Sequence, residues 1–306
     1  MRSARAARLL LPLVLVLAAC SPTGDDRDTG GDVPSDRELP SDSAEPSDSG
    51  EPSDSEAPSD DLAALTAFFG PDVAAREDGS FGLDRWSDVA AEPADGVAPA
   101  GDALRVAFPA GSVSPSATRE HGSPEGGMQV YLPLVDEPVD QAHLRYRVRF
   151  PAGFEFVKGG KLPGLYGGTQ VSGGDEPDGT DGFSTRLMWR ADGDGEVYLY
   201  APGESGTSLG RGEWVWPTDQ WVCVEQQVVL NDPDDENGSV TVWLDGEEAF
   251  AETGMTYRTV DDLKIEGIFF STFFGGADPS WAPSQDQHAD FADFAVSPDR
   301  IGCETP

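Results

Sequence analysis

From His143 to Phe150 the chain alternates without a break. Leu144, Tyr146, Val148 and Phe150 alternate with His143, Arg145, Arg147 and Arg149. A period of two puts the apolar set on one face of a strand and the polar set on the other; a helix would scatter both. Glycine and proline punctuate the chain at short intervals, 36 and 25 of 306 residues, which leaves little room for long helices. The runs between them are strand-like. Val222, Val224 and Gln226 alternate with Cys223, Glu225 and Gln227, and Ser239–Leu244 leads into Asp245-Gly246, a strong hairpin-turn pair. Ile265–Phe274 and Phe291–Val296 are further strand candidates. One short helix is expected at Leu62–Phe69, capped by Asp60-Asp61. Many strands separated by turns predict an all-β fold, a sandwich or jelly roll.

The N-terminal 60 residues are expected to lie outside the folded domain. Arg2, Arg5 and Arg8 precede an apolar run, Leu9 to Ala19, that is too short to span a bilayer as a helix. The run ends in Leu17-Ala18-Ala19-Cys20, small residues before a cysteine. This pattern predicts a signal segment over 1–19 and lipidation of Cys20; an ordinary signal peptide is the blander alternative. Residues 21–60 are almost entirely Ser, Asp, Pro, Glu and Gly, with an imperfect hexad (ELPSDS, AEPSDS, GEPSDS, EAPSDD). Such a segment has too little apolar surface to offset its ordering entropy, so residues 20–60 are expected to be a disordered acidic tether. Residues 61–306 then form one domain, extracytoplasmic and held to the membrane by the lipid alone. Outside the cytoplasm Cys223 and Cys303 are expected to form a disulfide, with two buried thiols as the alternative.

The domain carries 43 acids against 15 bases. Such a surface repels polyanions at long range, so nucleic acid is excluded as a partner. The bases are unevenly spread. Seven of the 15 lie between His143 and Arg190, namely Arg145, Arg147, Arg149, Lys158, Lys161, Arg186 and Arg190, with five acids in the same stretch. Any anion site should be built there.

That stretch also carries a resemblance. FPAGFEFVKGGKLPGLYGG (Phe150–Gly168) and FSTRLMWRADGDGEVYLY (Phe183–Tyr200), followed by FFSTFFGGADPSWAP (Phe269–Pro283) and DFADF (Asp290–Phe294), together resemble polysaccharide lyase family 14, the alginate and glucuronan lyases. The resemblance runs from about Leu144 to Phe294. It implies a jelly-roll enzyme that cleaves a uronic-acid polymer by β-elimination without a redox cofactor; no cofactor and no metal are expected, since His121, His143 and His288 show no metal-ligand spacing. It also implies catalytic roles for Lys161, Ser184, Arg186, Tyr198 and Tyr200. The implied partner is an anionic polysaccharide, and the protein is expected to be a monomer.

The residue types suit that chemistry. Elimination on a uronate needs a cation to neutralise the carboxylate, a base for the C5 proton and an acid for the leaving O4. Arg186 fits the first role, because a guanidinium binds a carboxylate with two parallel hydrogen bonds. Lys161, Tyr198 and Tyr200 divide the base and acid roles in an order the sequence leaves open, and Ser184 can only position by hydrogen bonding. Arg145, Arg147 and Arg149 line either the cleft floor or an outer face; with Arg190 and Trp281 they are the candidate substrate-binding residues. Trp281, Phe273 and Phe274 can stack on sugar rings or fill the core.

Strand parity makes this checkable. Ser184, Arg186, Met188 and Arg190 share a face, as do Tyr198 and Tyr200, and the two sets meet across a hairpin only if its loop has an odd number of residues. A five-residue loop, Ala191–Gly195, would set Tyr200 opposite Arg186 and Tyr198 opposite Met188. A two-residue turn at Gly193-Asp194 would place them on opposite faces. Gly206–Gly210 matches the hydrolase elbow G-x-S-x-G but lacks its helix. Asp192–Glu196 lacks the later glutamate of a calcium loop and reads as a hairpin loop. The competing function is a non-catalytic glycan-binding lipoprotein on the same scaffold.

Overall fold

The structure is a computed structural model that describes residues 89–93, 102–133 and 137–303. The signal segment, Cys20, the acidic tether and the Leu62–Phe69 helix lie outside the described residues.

Two antiparallel sheets pack face to face. The first has seven strands in the order β1 (Val89–Pro93), β2 (Asp102–Phe108), β13 (Gln287–Ser297), β4 (Gln141–Phe150), β9 (Gln220–Val229), β10 (Gly238–Leu244) and β11 (Glu247–Met255). The second has six, in the order β3 (Met128–Pro133), β12 (Gly267–Thr272), β5 (Gly159–Gly168), β6 (Gly182–Arg190), β7 (Gly195–Ala201) and β8 (Glu204–Leu209). This is the expected all-β jelly-roll sandwich. A short helix, α1 (Pro115–His121), joins β2 to β3.

The alternation seen in the sequence places the core. Leu144, Tyr146, Val148 and Phe150 point inward from β4 and meet Leu162, Phe183, Leu187 and Trp189 of the other sheet, all essentially buried. Asp245 and Gly246 make the expected two-residue hairpin, with Leu244 paired to Glu247 and both turn residues at positive φ, 48° and 88°.

The same alternation sends Arg145, Arg147 and Arg149 to the outer face of the seven-stranded sheet, which corrects their assignment as substrate-binding residues. Arg145 donates to Asp293 at 2.8 Å, Arg147 to Asp293 at 3.4 Å and Arg149 to Asp290 at 2.8 Å. Arg105 joins Asp290 at 2.7 Å. Burial pushes the Asp290 carboxyl up, but the hydrogen bonds and charges of Arg105 and Arg149 hold it below the usual carboxylate range. These arginines neutralise two structural carboxylates on the side of the sandwich away from the six-stranded sheet.

Cys223 and Cys303 are joined, with Cα atoms 5.9 Å apart and a sequence separation of 80. Beside the disulfide, buried Glu225 accepts hydrogen bonds from the backbone of Ile301 and Gly302 at 2.9 and 2.8 Å. The C-terminal tail is thus pinned to the outer face of β9. Replacing both cysteines with serine is expected to lower stability by about 4–5 kcal/mol, less any relief of strain, by loop-entropy arithmetic. Urea unfolding of the two proteins measures the difference.

Candidate active site

The site is built on the outward face of the six-stranded sheet, across β5, β6 and β7. Lys161 pairs with Met188, and Arg186 with Tyr198. Ser184 pairs with Tyr200. The β6–β7 loop is odd, so both tyrosines share the arginine face as parity required. The register, however, is two residues from the expected one: Tyr198, not Tyr200, lies opposite Arg186, and Glu196 lies opposite Met188. Between Arg190 and Asp194, joined by a backbone hydrogen bond at 2.7 Å, the loop has three residues, Ala191–Gly193, turned sharply by Asp192 and Gly193 at φ 61° and 84°. Gly195 belongs to the strand instead. A Cβ there would fall 1.9 Å from the Trp214 indole nitrogen, so this glycine admits a ring rather than a turn.

Lys161 is buried. Its ammonium group lies 3.6 Å from the centre of the Tyr198 ring and donates to the Met188 sulfur at 2.9 Å. Burial holds its pKa well below the usual lysine range, and the charges of Arg186 and Arg190 add to this; Glu196 opposes them. The Tyr198 ring face favours the ammonium, but one ring does not offset lost solvation plus two guanidinium charges. Arg186 is also buried. It donates to Ser271 Oγ at 3.3 Å and lies 4.5 Å above the Phe269 ring and 5.6 Å from both tyrosine rings. Its Nε is buried with no hydrogen-bond partner among the described residues. Ser271 in turn donates to Gln129 Oε1 at 3.3 Å, and the buried Gln129 amide nitrogen has no partner among the described residues.

Burial pushes the Tyr198 hydroxyl up to about 12, aided by its hydrogen bond to Tyr200 and opposed by Arg186 and Arg190. Tyr200 accepts a hydrogen bond from the backbone of Gly174 at 3.2 Å. Ser184 donates to the carbonyl of Val171 at 3.0 Å. That bond ties down the loop after β5, whose residues Ser172–Asp175 form one wall. Arg190 pairs with Glu196 at 2.6 Å and donates to Ser208 at 3.2 Å. Trp281 lies in a single helical turn, its ring 5.9 Å from both Lys158 Nζ and the Arg190 guanidinium.

A cleft of about 580 Å³ opens over this face. Lys161, Arg186 and Arg119 of α1 line it, against one lining carboxylate, Asp175, among the described residues. A protein with a net charge of −36 thus presents a cationic cleft. Ser208, the serine of the elbow-like motif, lies within strand β8 and accepts a hydrogen bond from Arg190. Glu196, Gln129 and Ser271 were not singled out from the sequence. Glu196 had a signal: it shares the period-two face of Tyr198 and Tyr200.

Residues 98–294 match the sequence profile of the family described as Polysaccharide lyase 14. The chain belongs to this family. It is accordingly a carbon–oxygen lyase acting on polysaccharides. The match begins well before Leu144 and takes in β2, α1 and β3, which the motifs alone did not reach. Among solved structures, the PL-14 alginate lyase from Aplysia kurodai is similar at 30% identity with a TM-score of 0.59, over 68% of this chain and 86% of that one. Alginate lyase vAL-1 from a Chlorella virus is similar at 21% identity with a TM-score of 0.58, over 70% and 93%. A third is a variant of the alginate lyase Aly36B solved in complex with alginate tetrasaccharide, at 19% identity and a TM-score of 0.54, over 71% and 85%. No significant match is found among curated proteins.

Proposed function

We propose that the protein is a uronan lyase that cleaves alginate or glucuronan by β-elimination. The observation that carries this reading is the convergence of Lys161, Arg186 and Tyr198 in a cationic cleft on a strongly acidic protein. The similarity to alginate lyases, one of them bound to an alginate oligosaccharide, supports a polyuronate as substrate.

The environments divide the roles. Arg186 neutralises the substrate carboxylate, which makes the C5 proton acidic. Lys161, disposed by burial and its cationic neighbours to be neutral, takes that proton. Tyr198 keeps its own proton over the physiological range and delivers it to the departing O4. Tyr200, held by Gly174, orients Tyr198 through the hydrogen bond between their hydroxyls. Arg190 and Trp281 meet beside Lys158, outside the residues that line the cleft. Glu196 fixes Arg190. On this reading the signal-like N-terminus and Cys20 hold the enzyme outside the cytoplasm on a lipid anchor, with the acidic segment as tether.

The assignment has a pH signature. The rate at saturating substrate is expected to rise with pH through the lowered pKa of Lys161, because only the neutral amine can accept a proton. It should fall again only at strongly alkaline pH, toward about 12, as Tyr198 ionises. A profile with no rising limb at any pH below the ordinary lysine range would contradict Lys161 as base. Product mass spectrometry separates the reaction classes. Elimination yields fragments whose masses sum to the polymer, one bearing an unsaturated uronate, whereas hydrolysis adds one water per cut.

A further inference from the structure

We propose that Gln226, which belongs to the opposite sheet and does not line the cleft, is a positioning residue for Lys161 and Arg186. It acts through a bulge in β5. The inference rests on the lyase reading for its kinetic consequence but on packing for its argument.

Lys161 and Tyr166 are five residues apart, so a regular strand would send them to opposite faces. Yet both lie on the cleft side. Lys161 is over Tyr198, and Tyr166 packs edge-on to Tyr131, which stacks on the Phe269 ring beneath Arg186. Parity changes between them. Leu162 pairs with Leu187 and Gly164 with Arg186, so Pro163 and Gly164 together oppose Arg186. Proline suits the bulge because it has no N–H to give the ladder. Glycine is required at 164, where a Cβ would fall 2.2 Å from the Thr185 carbonyl oxygen and 2.5 Å from the Arg186 Cα.

The bulge is held from across the core. Gln226 stands on the inward face of β9 between Val224 and Val228, all three fully buried. A glutamine there is unfavourable unless its amide is bonded. It is bonded on both sides: Nε2 donates to the Thr185 carbonyl at 2.7 Å, and Oε1 accepts from the Leu165 N–H at 3.2 Å. Thr185 Oγ1 lies 3.1 Å from the same Oε1. Tyr146, also from the opposite sheet, donates its hydroxyl to the Pro163 carbonyl at 3.2 Å. Only a side chain with both a donor and an acceptor can link Leu165 N–H to Thr185 C=O. A one-residue slip in β5 would turn Lys161 into the core, so these bonds fix which side chains face the cleft.

The test compares full-length Gln226→Met and Tyr146→Phe with wild type and with Gln227→Met, the neighbour on the outer face of β9. Folding is verified by circular dichroism and thermal unfolding. In folded Gln226→Met, kcat on the uronan is expected to fall about 10- to 100-fold with KM within about threefold, the pattern of displaced catalytic groups. Tyr146→Phe should lose about 3- to 10-fold and Gln227→Met nothing. The pH midpoint of Lys161 labelling by an amine reagent, read by peptide mass spectrometry, should be higher in Gln226→Met than in wild type. A folded Gln226→Met with wild-type kcat and an unmoved Lys161 midpoint overturns the proposal. If wild type cuts no uronan, the lyase reading fails separately and the labelling midpoint alone decides the positioning claim. If Gln226→Met does not fold, Tyr146→Phe decides it by the same two readouts.

Discussion

Lys161→Ala is expected to lose about 10²- to 10⁴-fold in kcat, the range a positioned acid or base supplies, while the protein stays folded. The same change should not weaken the fold through its charge. Lys161 is buried among Arg186, Arg190 and the Tyr198 ring, and its folded pKa lies well below its unfolded one. Between those two pKa values the unfolded chain binds a proton that the folded protein does not. Lys161 therefore costs stability over that window, and the cost fades as pH rises toward about 10.4, the unfolded value. Lys161→Met, which keeps the apolar stem, is expected to unfold at a temperature higher than wild type at neutral pH. The gap should narrow at alkaline pH. Steady-state kinetics and thermal scans at several pH values check both halves. A purely structural lysine would give the opposite pairing, with lost stability and retained turnover.

Arg186 makes the second large prediction, and two replacements separate its fork from its charge. Arg186→Lys keeps a cation but loses the planar pair of donors that matches a carboxylate, and should cost about 10²- to 10³-fold in kcat. Arg186→Met loses the charge as well. Because that charge helps depress the Lys161 pKa, the acid limb of the pH–rate profile should move to higher pH in Arg186→Met and stay nearly in place in Arg186→Lys. If both variants gave the same limb, Arg186 would not be the neighbour that tunes Lys161. In Arg186→Met, Ser271 also loses the donor that now fixes its hydroxyl toward Gln129, so the wall beside β3 should loosen as well.

The sandwich was legible because its signal is local. A period of two in β4 and β9 names the buried face without reference to any other strand, and Asp245-Gly246 names its hairpin. The placement of Arg145, Arg147 and Arg149 was not legible by the same logic. Alternation says that three arginines share a wet face but not which of two sheets forms the cleft, and their partners Asp290 and Asp293 are over 140 residues away in sequence. The β6–β7 register failed for a different reason. Gly195 reads as a turn residue until Trp214, from a distant loop, is seen resting on it. Reading Asp192–Glu196 as one loop also hid Glu196, the buried counter-ion of Arg190. That Lys161 and Arg186 would come together was legible because their motifs are long and ordered. Gln226 was visible as a polar residue set between Val224 and Val228 on the inward face of its strand, yet its partners on β5 and β6 were not.

The most direct test of the central claim is ultraviolet absorbance of the unsaturated uronate during incubation with mannuronate-rich alginate, guluronate-rich alginate, glucuronan and a neutral glucan, beside Lys161→Ala. The account predicts rising absorbance on at least one uronan, none on the neutral glucan, and a rate lower by orders of magnitude in Lys161→Ala. A flat trace on every uronan, with binding to one of them still measurable, would contradict it and make the protein a glycan-binding surface protein on a lyase scaffold.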